Sequence, residues 1–350
     1  MIIKSLKLKN FRNHSYLYYE FKPGLNIFTG NNGVGKTNIV EAIYYLSLAR
    51  SFRTQEDKDL IKEGKDIAEI DSVVLEGDIN RRIRVLFSEQ GRKVLLNNKP
   101  VSKLSDLVKS VNVTLFEPKD VLLFRGSPKA RRNFLDINIS KKTPAYLEYI
   151  SKYERVLKQR NDILKSDNVD QALLDTSTEM LVELSRPIVQ MRSAYVKDIN
   201  DILIKITRAL TDVEEAVEIH YEPYVPLDSN FANSAKEAFK RALEGDLKRK
   251  ATSIGVHRED FSVTLKGKDI GEFGSQGENR IVALALKLSP YFLIQDKDKR
   301  PVVVLDDVMS ELDRTHRLRL IKLLSKFEQV FITATKLEVK DAALYTLKSK

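Results

Sequence analysis

Cysteine and tryptophan are both missing from the 350 residues. Without cysteine the chain has no disulfides and no thiolate-held metal. Histidine is scarce as well: His14, His220, His257 and His316 are scattered with no ligand spacing. Any metal is therefore expected to arrive with a bound ligand. Long apolar runs are also lacking. The stretch Ile281 to Leu286 falls far short of the ~20 residues of a membrane span. Met1 to Phe11 is basic but has no continuous apolar core of an export signal, so no membrane attachment and a cytoplasmic location are expected. Only 14 glycines and 10 prolines occur, without repeats or low-complexity tracts, so a glycine-rich motif here is not compositional background.

Positive charge is what the chain has in excess, with 59 Lys and Arg against 49 Asp and Glu, a net of +10. Such a balance favours a polyanionic partner. The stretch from Arg125 to Arg249 holds 21 Lys and Arg against 20 Asp and Glu, a balance of +1, so nearly all the excess lies in the flanking parts. If the charge marks DNA binding, the surface lies mainly there, although no single residue stands out as a DNA contact.

The chain is organised around Gly30-Asn31-Asn32-Gly33-Val34-Gly35-Lys36-Thr37, which satisfies G-x-x-x-x-G-K-[ST] at every fixed position. Gly24 to Thr29 before it has strand character, and Ile39, Val40, Ile43, Leu46 and Leu48 after it recur at helical spacing. A strand, a glycine loop and a helix turn backbone N–H groups and the helix dipole onto phosphate oxygens. Lys36 is expected to reach the β and γ phosphates of ATP, and Thr37 to ligate Mg²⁺. Far downstream, Pro301-Val302-Val303-Val304-Leu305-Asp306-Asp307 is an apolar strand ending in paired acids, the form of a Walker B element. Acids at a buried strand tip are costly without a cation, and Mg²⁺ on a triphosphate meets that need. Asp306 would support the metal, and Asp307, as the catalytic residue, would orient or deprotonate the attacking water.

Before the phosphate loop the pattern predicts two strands over Ile2 to Leu8 and Ser15 to Phe21, and past its helix an antiparallel subsheet over Ile67 to Glu76, Arg81 to Ser88 and Arg92 to Leu96. In Arg50-Ser51-Phe52-Arg53 the two cations could grip phosphates or simply end a helix. Asn98-Lys99 lacks the following acid of a guanine-reading box, so GTP specificity is unsupported. From about Ser127 to Lys250 amphipathic helices dominate, with Pro187 expected to kink or break one of them, followed by a short strand near Ala216 to Tyr221 and a helix over Ala235 to Leu243. The expected organisation is an N-terminal half-head over 1–125, a helical insertion or short coiled-coil arm over 126–249, and a C-terminal half-head over 250–350.

Phe273-Gly274-Ser275-Gln276-Gly277-Glu278-Asn279-Arg280, leading into a helix, resembles the signature motif of ABC-type ATPases. Met309-Ser310-Glu311-Leu312-Asp313 resembles the D-loop, and Val330 to Thr335 resembles the strand that leads to the switch, with Thr335 at the switch position. A split head with a helical insertion is similar to the SMC-like group. Within that group Leu8 to His14, Arg50 to Thr54, Phe116 to Asp120, Gly126 to Asp136 and His257 to Asp260 resemble the RecF family of bacterial recombination mediators over the whole chain. The implied fold is α/β, an ABC-type P-loop ATPase head with an antiparallel β subsheet and an inserted helical domain.

The resemblance further implies an ATP-dependent protein that binds double-stranded and gapped DNA and acts at single-strand/double-strand junctions. It implies RecR and RecO as partners and RecA indirectly, with roles in replication-fork maintenance and the SOS response, in a nucleoid-associated cytoplasmic setting. Two copies would close on two ATP molecules, with Ser275 and Gly277, in the segment Ser275-Gln276-Gly277-Glu278, acting in trans on the partner's γ-phosphate. Ser275 before a helix could equally be a plain N-cap, or do both. Asp307 stands where transporters have Glu, and Thr335 where they have His, so ATP hydrolysis is expected to be weak, DNA-stimulated and used as a switch. No glutamine marks a Q-loop, and Val256 stands before His257 where the family tends to have Pro. Two other readings are an SMC-like subunit without a mediator role and an unrelated P-loop phosphotransferase, which would need an acceptor pocket but no signature motif.

Overall fold

A computed structural model describes residues 1–101, 104–211 and 216–348. The chain divides into two compact units, the first made of Met1–Val121, Lys205–Glu214 and Arg280–Lys350, the second of Leu122–Ile204 and Glu215–Asn279. In order, the elements begin β1 (Ile2–Phe11), β2 (His14–Glu20), β3 (Gly24–Thr29), α1 (Lys36–Leu48), β4 (Ile67–Glu76), β5 (Ile79–Ser88), β6 (Gly91–Leu96), β7 (Lys99–Pro100), α2 (Leu104–Ser110) and β8 (Val113–Phe116). Next come α3 (Pro128–Lys142), α4 (Pro144–Lys165), α5 (Gln171–Thr211), β9 (Val217–Glu222), α6 (Phe231–Arg249), β10 (Asp260–Leu265), β11 (Lys268–Asp269) and α7 (Ile270–Phe273). The chain finishes with α8 (Gln276–Leu293), β12 (Val302–Leu305), α9 (Arg314–Leu324), β13 (Gln329–Ala334) and β14 (Ala343–Thr346).

The first unit holds a parallel sheet in the order β14-β3-β13-β12-β8 and an antiparallel sheet in the order β2-β1-β4-β5-β6-β7. Strands β8, β12 and β13 are buried at every residue, as parallel strands covered on both faces must be, which is why they read as near-continuous apolar runs. In β5 the buried Ile83, Val85 and Phe87 alternate with more exposed neighbours, as one packed face and one wet face demand. Phe11, Phe28, Phe87 and Tyr45 lie fully buried in the core of this unit with Ile39, Ile43 and Leu46 of α1. The strands expected at both ends of the β1–β2 hairpin and through the antiparallel subsheet are present, each within a few residues of its expected bounds.

In the second unit β9, β10 and β11 form a small antiparallel sheet. Helix α5 runs unbroken through Pro187; its 41 residues span ~60 Å at ~1.5 Å per residue. The polar core of this unit is ionic. Arg192, 1% exposed, donates to Glu259 Oε2 at 2.8 Å, to the Val256 carbonyl at 2.7 Å, to Asp136 Oδ1 at 2.8 Å and to the Tyr146 hydroxyl at 2.9 Å. Tyr221 donates to the same Glu259 carboxylate, Arg132 to the Glu259 carbonyl at 2.7 Å, and Arg131 to both Asp260 oxygens at 2.7 Å.

Candidate functional site

The phosphate loop joins the C-terminal end of β3 to the first turn of α1, so Lys36 and Thr37 are the first two helical residues. Two of its glycines have no substitute. At Gly35, with φ +101, a Cβ would stand 2.5 Å from His14 Nε2, and at Gly30, with φ +144, it would stand 2.5 Å from the Leu347 carbonyl. The β1–β2 turn braces the loop from outside: His14 Nε2 lies 3.2 Å from the Gly35 carbonyl, and Asn38 donates to Asn13 Oδ1 at 2.8 Å.

Lys36 is nearly buried and donates to the loop's own carbonyls, Gly30 at 2.7 Å and Asn31 at 2.9 Å. Burial pushes its ammonium pKa down, against the pull of Asp307 and Asp306. A cation folded back on carbonyls of its own loop is held by weak acceptors, and phosphate oxygens would offer stronger ones.

The Walker B acids close the other side. Asp306 Oδ1 accepts from Thr37 Oγ1 at 3.1 Å and from Thr333 Oγ1 at 2.7 Å. Burial raises the Asp306 carboxyl pKa, and the two hydroxyl donors and the pull of Arg53 only partly offset this, so the acid keeps an unmet need for positive charge. Thr37 and Asp306 thus meet as an oxygen-donor pair of the kind Mg²⁺ takes when phosphates and water complete its shell. Asp307 sits in the left-handed region with φ 51, where an aspartate is tolerated but uncommon. Its N–H donates to Thr333 Oγ1 at 2.9 Å, and Ser310 Oγ donates to its carbonyl at 2.9 Å. One hydroxyl, that of Thr333, therefore fixes both acids.

Several of these partners were not singled out in the sequence. Thr333 is one; the only hint is a hydroxyl in the buried strand Val330 to Ala334. Thr335 itself is exposed and touches the loop through its carbonyl, which accepts from Gly30 N–H at 3.4 Å. Glu41, fully buried on α1, binds Arg12 at 2.9 and 2.5 Å, Ser51 at 2.5 Å and Arg53 at 3.2 Å. Arg53 also donates to Asn38 Oδ1 at 2.7 Å, so the Arg50 to Arg53 stretch is fastened to the helix that starts at the phosphate loop. The signal was the four-residue spacing of Thr37 and Glu41, which puts both on one helix face. Glu117 follows the last residue of β8, whose Phe116 carbonyl accepts from Asp306 N–H at 3.0 Å. Beside the loop lies a cavity of about 960 Å³ lined by Asn13, Tyr16, Tyr18, Asn32, Gly33 and Lys348 among others.

Ser275 and Glu278 form a reciprocal cap at the start of α8: Glu278 N–H donates to Ser275 Oγ at 3.2 Å, and Ser275 N–H to Glu278 Oε2 at 2.8 Å. These bonds draw the Glu278 carboxyl pKa down. The serine hydroxyl also bonds the Glu278 carboxylate, so to meet an anion it would have to turn away from that carboxylate. Ser275, Gln276 and Gly277 are all exposed. In the D-loop, Asp313 caps α9 by accepting from His316 N–H at 3.0 Å and pairs with the His316 ring. Arg280 of α8 grips Glu311 through both its carbonyl and its carboxylate.

A protein family described as RecF/RecN/SMC N terminal domain matches residues 2–348. The chain is similar to the DNA replication and repair protein RecF of Streptococcus pneumoniae (strain CGSP14), 36% identical over 342 residues that cover 97% of this chain and 93% of that one. It is 34% identical over 365 residues to the RecF of Geobacillus thermodenitrificans (strain NG80-2), covering 100% and 98%. Among solved structures, the recombination mediator protein RecF with ATP in the RecFOR pathway superposes with a TM-score of 0.89 at 29% identity, covering 99% of this chain and 95% of that chain. An Smc head domain from Pyrococcus furiosus gives 0.58 at 19% identity over 95% and 89%, a likeness of fold alone. The fold is thus the one expected, an ABC-type, SMC-like head with an antiparallel sheet and a helical insertion.

Proposed function

Because the chain belongs to the RecF family of DNA replication and repair proteins, within the RecF/RecN/SMC group, we propose that it is an ATP-dependent DNA-binding protein whose two copies close on two ATP molecules. The loop from Gly30 to Thr37 takes the phosphates, with Lys36 moving from loop carbonyls to phosphate oxygens. The cavity lined by Asn13, Tyr16 and Tyr18 receives the nucleoside end. Thr37 and Asp306 hold Mg²⁺, which supplies charge neutralisation between phosphate oxygens. Asp307, fixed through its backbone by Thr333 and Ser310, orients the attacking water. One methylene shorter than glutamate, it reaches less far, so hydrolysis is slow and serves to reopen the dimer.

The observation that carries the trans reading is Gly277. Glycine in a helix costs about 1 kcal/mol relative to alanine, and this one has no left-handed φ and nothing within 4 Å of a Cβ. Among the described residues nothing asks for glycine there. A close approach from outside does, as when a backbone meets a phosphate. Ser275, its O–H turned from Glu278, and the α8 N-terminus then bond the γ-phosphate of the partner's ATP, which ADP lacks.

On DNA, the excess of positive charge outside Arg125 to Arg249 supports a surface on the head, at gaps and single-strand/double-strand junctions. RecR and RecO are the proposed partners in delivering RecA, and the SOS response and fork maintenance the wider setting. The test is duplex-DNA affinity with ATP against salt: log K falling roughly linearly with log salt supports phosphate contacts by the head, and a flat response removes them. Lys36→Met should lose ATP affinity by about a hundredfold or more, the scale of a charged donor to phosphates, as read by filter binding; unchanged affinity contradicts the assignment of the loop.

A further inference from the structure

We infer that Arg125 is a positioning residue for hydrolysis, holding the signature loop in the shape that Ser275 needs to meet a phosphate. The loop before Ser275 is thin, with Gly271 and Gly274 on either side of the exposed Phe273, and a segment of this composition is costly to fix. It is clamped from two sides. From inside, the buried Asn279 side chain donates to the carbonyls of Ile270 at 3.0 Å, Gly274 at 2.9 Å and Ser275 at 2.9 Å. From outside, the Arg125 guanidinium donates to the carbonyls of Gly271 at 2.8 Å and Gly274 at 3.1 Å. The Gly274 carbonyl, one residue before Ser275, is held by both.

Arg125 is itself held. Its loop, Leu122 to Gly126, closes through Gly126 N–H to the Leu122 carbonyl at 2.6 Å. Arg131 braces that loop through the carbonyls of Leu123 at 3.0 Å and Gly126 at 2.9 Å, while its other nitrogens bind Asp260. The two loops touch where a side chain is missing: a Cβ on Gly271 would stand 2.7 Å from the Phe124 carbonyl, while within the Arg125 loop one on Gly126 would stand 2.8 Å from the Leu122 carbonyl. Asp260, Arg131, the Leu122 to Gly126 loop, Arg125 and the signature loop thus form one series of contacts. Charged forks on neutral carbonyls fix position without neutralising the donor, and a trans contact to a γ-phosphate demands placement to about half an ångström.

Arg125 is exposed, so its truncation leaves the core of its unit intact. The inference rests on the two-copy reading of Ser275. The test is full-length Arg125→Ala with ATP and duplex DNA, read by light scattering, turnover and ATP binding to the separate chain. Expected are an unchanged ATP affinity and melting temperature, with kcat and the dimer fraction at limiting protein lowered by about tenfold, the scale of one net hydrogen bond at an exposed position. Added guanidinium ion should restore part of the kcat. Wild-type turnover and dimerisation in Arg125→Ala, or a loss that follows the melting temperature and ignores guanidinium, overturns the inference. A wild type that stays monomeric under the same conditions instead defeats the two-copy reading beneath it.

Discussion

The two units each bury a cluster of charge, and the clusters are built on opposite principles. In the second unit Arg192 has acceptors in Glu259, Asp136, Val256 and Tyr146, and Glu259 in turn accepts from Tyr221 and the Tyr224 N–H. Every charge there is answered from within the unit. In the first, Lys36 leans on two carbonyls of its own loop, and Asp306 accepts from two hydroxyls while burial raises its pKa against those donors and the pull of Arg53. A buried charge that its own unit leaves half-satisfied marks a ligand site, whereas a fully paired one marks a joint of the fold.

The largest expected effect breaks the paired cluster. Arg192→Met leaves the buried Glu259 and the partly buried Asp136 without their cation, and should cost about 3–5 kcal/mol of stability in denaturant unfolding, whereas Lys36→Met should leave the unfolding midpoint nearly unchanged. Equal losses would erase the distinction.

Next in size is a pH effect. Burial holds the His257 pKa down to about 4 from its ordinary 6.5. Nε2 faces the Thr252 carbonyl at 3.1 Å, and Nδ1 lies 2.9 Å from the Tyr153 hydroxyl. The network assigns the proton to Nε2, with Tyr153 donating to Nδ1. The unfolded chain binds the extra proton first, so stability falls as pH drops from about 6.5 toward 4, by up to about 3 kcal/mol. His257→Gln should flatten that slope, as followed by chemical denaturation across the window; an unchanged slope assigns it elsewhere.

The smallest effect is the most discriminating. Gly277→Ala should stabilise the isolated chain by about 0.5–1 kcal/mol through helix propensity, while weakening ATP-driven dimerisation. A variant more stable and equally dimeric would show that nothing approaches Gly277. Asp307→Asn complements it, since asparagine also tolerates the left-handed backbone and only the carboxylate charge is lost; ATP should then hold the dimer closed for longer, as scattering over time can follow.

Much of this was legible in the residues. The phosphate loop, the Val302 to Asp307 strand and the alternation of the antiparallel sheet are local patterns, and local patterns survive folding. The residues that complete the site are not local: Thr333 reaches Asp306 and Asp307 from the neighbouring strand, and Arg12 and Arg53 reach Glu41 from two different loops. Their chemistry is ordinary; the register of β12 on β13, with Leu305 opposite Ile332, brings Thr333 to the two acids, and the fold of the loops around α1 brings the arginines to Glu41. The stretches that carried the family resemblance teach a further lesson. Arg131, Arg132, Asp136, Glu259 and Asp260 proved to be the paired cluster, so motifs that identify a family can be motifs that hold its fold. Residues 250–279, expected in the C-terminal half-head, also group with the helical insertion in one unit, because β10 pairs with β9 across the sequence, a pairing no periodicity announces.

The central claim is the proposal that neither copy holds a whole site: the nucleotide and its Mg²⁺ answer Lys36 and Asp306, and Ser275 and Gly277 of another copy meet the γ-phosphate. Light scattering with ATP and duplex DNA, on wild type and on Ser275→Arg, tests it most directly. The account predicts a doubling of mass for wild type with ATP and not with ADP. It predicts a Ser275→Arg chain that binds ATP normally and stays single. A wild type that remains monomeric, or a Ser275→Arg chain that still pairs, would contradict it.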